Sequence, residues 1–321
     1  MAQASPDLMA QHRMTQRPRI LVIKHGALGD FVLATGPFKA IRAQHPQAHI
    51  TLLTTTPFAG LGEASGLFDA IWIDDKPKAW AVPRWLALRR RLRLGGFIRV
   101  YDLQTSARSS SYFRLFRTPR PEWSGIAAGC SHPHANPQRD TMHTIERQAE
   151  QLAGAGIEIV PLPDVSWLDA PLDQFSLPPR FVLMVPGGAA HRLEKRWPAS
   201  AYAKLAATLA AQNLVPVLLG NSAEDDVLAQ IGEACSEARN LCGQTGFAEI
   251  AALARCADGA VGNDTGPMHL IAAAACPSLV LFSAASNPDI TAPRGPDVGI
   301  LHEARLDALS VSRVHGALRL R

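Results

Sequence analysis

The chain has 321 residues, 47% of them hydrophobic and 19% charged, with a net charge of only +4. That length suits two domains of roughly 150 residues each; the composition excludes wholesale disorder, and the charge is too small to argue for nucleic acid. No run approaches the roughly 18 to 20 uncharged apolar residues of a membrane span, and the first 19 residues hold no apolar signal segment, so a cytoplasmic protein is expected.

Short apolar runs rich in β-branched residues alternate with helical patterns, the signature of βα units around parallel sheets. Residues 1–18 are expected to form a flexible tail, 19–165 an N-terminal domain, 166–180 a linker and 181–321 a C-terminal domain. Strands are predicted at Arg19 to Ile23, Ala48 to Leu53, Ala70 to Ile73 and Arg99 to Tyr101, and a helix over Gly29 to Gln44. A second helix, about Pro83 to Leu94, sets Trp85, Leu88 and Leu92 on one face and arginines on the others. From Lys76 to Arg120 there are twelve Lys and Arg and one acid, Asp102, a concentration that points to an anionic partner. For any single arginine there, a solvated helix face is the plainer account. Asp74 and Asp75 read as surface residues, because adjacent aspartates project differently and make a poor metal pair.

The stretch from Val160 to Arg180, in which the linker is placed, carries Pro161, Pro163, Pro171, Pro178 and Pro179. Beyond it, strands are predicted at Phe181 to Val185, Val215 to Leu219, Gly259 to Val261 and Ser278 to Phe282, with helices near Ser200 to Gln212, from Ala223 and from Pro267. Leu306, Leu309, Val314 and Leu318 fit a final amphipathic helix, a candidate to pack back on the N-terminal domain. Five dispersed cysteines without ligand spacing read as reduced, buried thiols.

In open α/β sheets, ligands sit beyond the carboxyl ends of strands, at loops that lead into helix N-termini. Four such loops stand out. Lys24-His25-Gly26-Ala27-Leu28-Gly29-Asp30 lacks the G-x-G-x-x-G dinucleotide pattern and presents Asp30, which a helix cap and a catalytic base explain equally well. Pro186-Gly187-Gly188 leads to His191, Arg192, Lys195 and Arg196, a cationic loop suited to a pyrophosphate. Gly220-Asn221-Ser222-Ala223-Glu224 offers a carboxylate to ribose hydroxyls or to a helix dipole. Gly262-Asn263-Asp264-Thr265-Gly266-Pro267-Met268-His269 opens a helix of small residues and makes a natural anion pocket.

Three of these segments, Lys24 to Asp30, Lys195-Arg196-Trp197-Pro198 and Gly262 to His269, resemble those of the lipopolysaccharide heptosyltransferases, glycosyltransferase family 9. The likeness runs from about Arg19 to Ala292. It implies an α/β GT-B architecture, two Rossmann-like doubly wound domains facing a central cleft, and an inverting, metal-independent transfer of heptose from ADP-heptose or a related nucleotide sugar. The acceptor implied is Kdo-lipid A or the heptosylated core, reached at the cytoplasmic face of the inner membrane. No cofactor is implied, since the ADP-sugar is a substrate. Asp30 acquires the role of general base and Lys195 that of neutralising the pyrophosphate. Gly187, Gly188, Lys195, Glu224, Asp264, Thr265, Gly266, Pro267 and His269 become donor-side residues. Lys24, Gly29, Arg89, Arg90 and Arg93 become acceptor-side residues. Where the family carries a Gly-Pro-Thr turn, this chain has Ser283-Ala284-Ala285-Ser286-Asn287-Pro288. The alternatives are a GT-B sugar-nucleotide epimerase and a family member using another nucleotide sugar.

Overall fold

The apolar runs become strands that are buried almost along their whole length, as a parallel sheet covered on both faces requires. A computed structural model describes residues 17–188 and 192–321, so the expected tail, apart from residues 17 and 18, lies outside the described residues, as does His191. Strands β1 (Arg19–Ile23), β2 (His49–Thr54), β3 (Ala70–Ile73), β4 (Arg99–Asp102), β5 (Glu122–Gly125) and β6 (His132–Pro133) form a parallel sheet in the order β3-β2-β1-β4-β5-β6. Strands β7 (Phe181–Val185), β8 (Val215–Leu218), β9 (Arg239–Asn240), β10 (Gly259–Asn263), β11 (Ser278–Ser283) and β12 (Val298–Glu303) form a second one in the order β12-β11-β10-β7-β8-β9. Taken along the sheet, the second order is sixth, fifth, fourth, first, second, third, the first sheet's order with its edges exchanged. Both sheets therefore have the doubly wound order of a Rossmann fold, repeated without any repeat of sequence.

The helix expected over Gly29 to Gln44 is two, α1 (Leu28–Leu33) and α2 (Thr35–Gln44). Pro37 explains the break: it has no N–H for the carbonyl of Leu33. In the same half lie α3 (Thr56–Ala64), the arginine-rich α4 (Val82–Leu94), α5 (Ala107–Ser111) and α6 (Thr144–Ala153). The second half adds α7 (Ala199–Ala210), α8 (Asp225–Ala234), α9 (Phe247–Cys256), α10 (Gly266–Ala273), α11 (Pro288–Thr291) and α12 (Val311–Ala317).

Contacts divide the chain into two compact units. One comprises the chain to His25, Phe38–Ala135 and Glu150–Ile159; the other comprises Gly26–Pro37, Asn136–Ala149 and Val160–Arg321. Leu21, Leu53, Val100, Phe113 and Trp123 centre the first core, and Met184, Trp197, Tyr202, Leu205 and Leu281 the second. Each such buried side chain contributes about 1.5–3 kcal/mol over leaving it exposed. Two expectations are corrected. The final helix, expected across Leu306 to Leu320, is shorter: α12 spans Val311–Ala317, Val314 is buried in the second core, and the helix lies on α7. Asp74 is not a surface residue but a buried one, because it follows edge strand β3 with its N–H on the Thr54 carbonyl and its carboxylate beside His25 and Tyr112. All five cysteines are free thiols; Cys130, Cys235 and Cys276 are buried as expected, but Cys242 is half-buried and Cys256 exposed.

Candidate active site

The second unit carries a cavity of about 780 Å³ at the carboxyl ends of β7, β8 and β10, where the strand order reverses. Next to the lining residue Asp264 stands Asn263, the last residue of β10 and fully buried. The Asn263 amide donates to the carbonyls of Pro186 (2.7 Å) and Gly187 (3.1 Å), and its oxygen accepts from Trp197 N–H (3.0 Å) and the Tyr202 hydroxyl (3.1 Å). One side chain thus fixes the loop after β7 to the segment that carries the cations.

Glu224 forms the next wall. One oxygen accepts from Gly188 N–H at 2.6 Å and the other from Asn221 N–H and its side-chain amide, both at 2.9 Å. A Cβ added at Gly187 would stand 1.8 Å from that carboxylate, so any larger residue would have to push the carboxylate aside. The Lys195 ammonium lies 2.7 Å from Asp264 Oδ2, in a pair whose side chains are 16% and 9% exposed. Arg192 and Arg196 line the same cavity, and Arg196 donates to the Gly188 carbonyl. Two buried polar atoms on this wall, Arg196 Nε and Thr265 Oγ1, have no hydrogen-bond partner among the described residues. Leu28, Val185, Leu219, Phe247 and Ile250 supply apolar surface. The cavity has the size and mixed lining of a small-molecule site, with the N-terminus of α10 at one end.

Behind this wall α1 packs on α10. Gly266 touches Leu28, and Gly29 touches the His269 ring so closely that a Cβ would lie 2.7 Å from Cδ2. His269 is buried and burial pushes its pKa down to about 4, against the pull of Asp264 and Asp30, so its ring is neutral at pH 7. Asp30 is in the first turn of α1 and is partly exposed. The N-cap is Ala27, and Asp30 makes no hydrogen bond or ion pair with any described residue, which removes the helix-cap explanation.

Most of the expected donor-side residues therefore meet: Gly188, Lys195, Glu224, Asp264, Thr265, Gly266 and Pro267 line one cavity, with Gly187 beneath it and His269 behind it. The acceptor-side set is dispersed. Arg89, Arg90 and Arg93 share a groove on α4 of the first unit. Lys24 is not available as a surface cation: it continues β1 with its N–H on the Leu53 carbonyl, is buried, and donates from Nζ to the Leu103 carbonyl at 3.3 Å. Asn263 is a site residue that the sequence reading does not single out although it stands inside the Gly262 to His269 loop; an amide between a strand end and an aspartate is the available signal. Among the described residues no group of three or more His, Cys, Asp or Glu is placed to hold a metal ion.

The sequence model of glycosyltransferase family 9 (heptosyltransferase) matches residues 85–314. The chain belongs to this family. The family resemblance read from the three motifs is thereby borne out. Lipooligosaccharide heptosyltransferase 2 of Haemophilus influenzae is 35% identical over 111 residues, 33% of this chain and 32% of that protein, so the match spans about a third of the relative's length. A glycosyltransferase family 9 structure from Veillonella parvula superposes with a TM-score of 0.81 at 19% identity, covering 94% of this chain and 95% of that one. The ADP-heptose lipopolysaccharide heptosyltransferase II of E. coli superposes with a TM-score of 0.75 at 21% identity, covering 94% and 97%. The family 9 chain thus has the GT-B fold, two Rossmann-like α/β domains, as expected.

Proposed function

We propose that this chain is an inverting glycosyltransferase that moves heptose from ADP-heptose to the inner core of lipopolysaccharide, on a Kdo-lipid A or heptosylated acceptor. The observation that carries the reading is the convergence of Lys195, Arg192, Arg196 and the α10 N-terminus on one cavity, with two of its polar atoms lacking protein partners. A departing diphosphate needs such fixed positive charge. In this reading the diphosphate takes Lys195 from Asp264, Thr265 and Gly266 present hydroxyl and amide to it, and Glu224 faces the ribose. Asp30 removes the acceptor proton as its oxygen attacks the anomeric carbon from the face opposite the leaving group, which inverts the centre. Charge neutralisation falls to these cations and amides, and no metal is assigned. Residues 181–321 hold the donor, and residues 19–165 receive the acceptor. Arg89, Arg90 and Arg93 meet the anionic groups of the acceptor, while Lys24 and Gly29 fix the loop that carries Asp30. The enzyme works in the cytoplasm at the inner membrane face; no helix among the described residues is long and apolar enough to cross a membrane.

The donor sugar is where this chain departs from the family pattern. Arg192 ties the Ser283–Asn287 turn to the cavity wall through a 2.6 Å bond to the Ala285 carbonyl, so a changed turn bears on the sugar pocket. The deciding experiment measures ADP release from ADP-heptose with heptose-deficient lipopolysaccharide. Acceptor-dependent release supports heptosyl transfer. Release only from another nucleotide sugar moves the assignment to that donor, and conversion of donor without acceptor identifies an epimerase.

A further inference from the structure

The outward side of α4 joins two properties that solvated helix faces do not combine. Val82, Leu86, Arg89, Arg90 and Arg93 succeed one another at helical spacing on one side, with Leu94 beside them. Leu94 is 75% and Leu86 54% exposed, and Trp80, just before the helix, is 77% exposed. Leu86 and Leu94 line a shallow groove with Arg89, Arg90, Arg93 and Arg117. The inner side of α4 is accounted for by Leu88 and Leu92, buried in the first core, so the outer leucines have no packing role.

The charge has no acidic counterpart among the described residues, although Arg93 donates from Nε to the Leu115 carbonyl at 2.8 Å. Among the described residues none of Arg84, Arg89, Arg90, Arg93 and Arg117 lies in an ion pair. Arg93 is held below the usual guanidinium range by desolvation and by the repulsion of Arg89 and Arg117, so the groove is crowded with like charge. A binding surface of leucines and tryptophan set among clustered arginines matches a layer that is apolar inside and anionic at its surface.

We propose that α4 with Trp80 is a bilayer-docking face, which lies in the plane of an anionic phospholipid surface with Leu86 and Leu94 dipped into the acyl boundary and Arg89, Arg90, Arg93 and Arg117 on lipid phosphates. This deepens the reading above and rests on it only for the acceptor being lipid-anchored. The arginines then do more than meet the acceptor: they hold the enzyme on the surface from which the acceptor is drawn.

The test is flotation of the full-length protein with vesicles of phosphatidylcholine alone and of phosphatidylcholine mixed with phosphatidylglycerol. The protein is expected to float with the mixed vesicles only, with binding weakened by salt. The exposed-site double variant Leu86→Ser/Leu94→Ser should lose at least ~10-fold in binding, and Arg89→Ala/Arg90→Ala/Arg93→Ala ~100-fold. ADP release measured on a deacylated, water-soluble acceptor should be unchanged in the leucine variant. The proposal is overturned if wild type does not float with anionic vesicles, if it floats equally with phosphatidylcholine, or if the leucine variant still binds. It is also overturned if that variant loses turnover on the soluble acceptor, since the groove would then serve the acceptor alone. Vesicle binding needs no turnover, so a failed heptosyltransferase reading shows separately, as no ADP release with any acceptor.

Discussion

At the carboxyl ends of β7, β8 and β10 the second unit leaves a cavity, whereas at the carboxyl ends of β1, β3 and β4 the side chains of Lys24, His25, Asp74 and Asp102 are buried against partners of their own unit. The topology is shared, so the difference lies in the residues that succeed each strand. After β3 comes Asp74, which takes His25 Nε2 at 2.9 Å and the Tyr112 hydroxyl at 2.6 Å. Burial alone would raise Asp74, but those two partners outweigh it and hold the carboxyl below its ordinary range. After β4, the buried Asp102 carboxylate accepts from the amides of Gln104 (3.2 Å) and Thr105 (3.0 Å). After β7 and β10, by contrast, come two glycines and the Thr265-Gly266 turn, whose small side chains leave room. A doubly wound sheet offers a ligand site at its reversal point; the residues there decide whether the protein keeps the site or closes it.

The largest effect is expected from removing Asp30, a carboxylate that makes no hydrogen bond or ion pair among the described residues. Asp30→Asn should lower turnover by about 10²–10⁴-fold, the range of general-base catalysis, with little change in the donor KM. A normal rate in the variant would remove Asp30 as base. Next comes the hub that shapes the open end. Asn263→Ala strands the Trp197 N–H and two carbonyls and leaves the Tyr202 hydroxyl a 3.5 Å bond to the Val185 carbonyl, and should cost about 4 kcal/mol, read as a fall in Tm. A loss within error would show that the loop after β7 is held some other way.

The comparison also has a pH form, because the two ends bury groups of opposite kind. Burial raises Asp102 from 3.8 to about 6, so its contribution is full below pH 3.8 and is lost as pH rises through 6. Burial lowers His269 from 6.5 to about 4, so its contribution is full above pH 6.5 and is lost as pH falls through 4. Each amounts to about 3 kcal/mol over its window. Thermal unfolding of Asp102→Asn and His269→Gln between pH 4 and 7 should therefore show opposite trends against wild type. The first variant gains on wild type as pH rises, and the second gains as it falls. Parallel trends would show that the two groups do not titrate as their burial dictates.

How much of this is legible in the sequence depends on the range of the physics. Strands such as Phe181–Val185 are continuous apolar runs and can be read to the residue, because burial on both faces writes itself into local composition. β5, Glu122–Gly125, reads as polar and escapes a local reading, since its place is decided by pairing with β4 across the sheet. The donor loops are legible because glycines, cations and a helix start stand close in sequence. Asp74 is misread because its partners, His25 and Tyr112, are 49 and 38 positions away in the chain and no local pattern announces them. The family motif carries Lys24 into the acceptor set, but it does not state that the chain turns this lysine inward to Leu103.

The smallest effect expected is the one that separates shape from charge at the open end. Gly187→Ala changes no charge and removes no hydrogen-bonding group, yet its methyl would collide with the Glu224 carboxylate. That carboxylate can swing away, so the fold should survive with little loss of Tm. Swinging breaks its bonds to Gly188 and Asn221, which hold the cavity wall. The donor KM should therefore rise about 10-fold, about 1.4 kcal/mol, while turnover at saturating donor stays near wild type. Calorimetric titration with ADP should reproduce the loss, since the diphosphate and ribose meet the same wall. If ADP binds the variant as tightly as wild type, the glycine is there for the turn of the chain alone, and Glu224 belongs with the residues that close an end of the sheet.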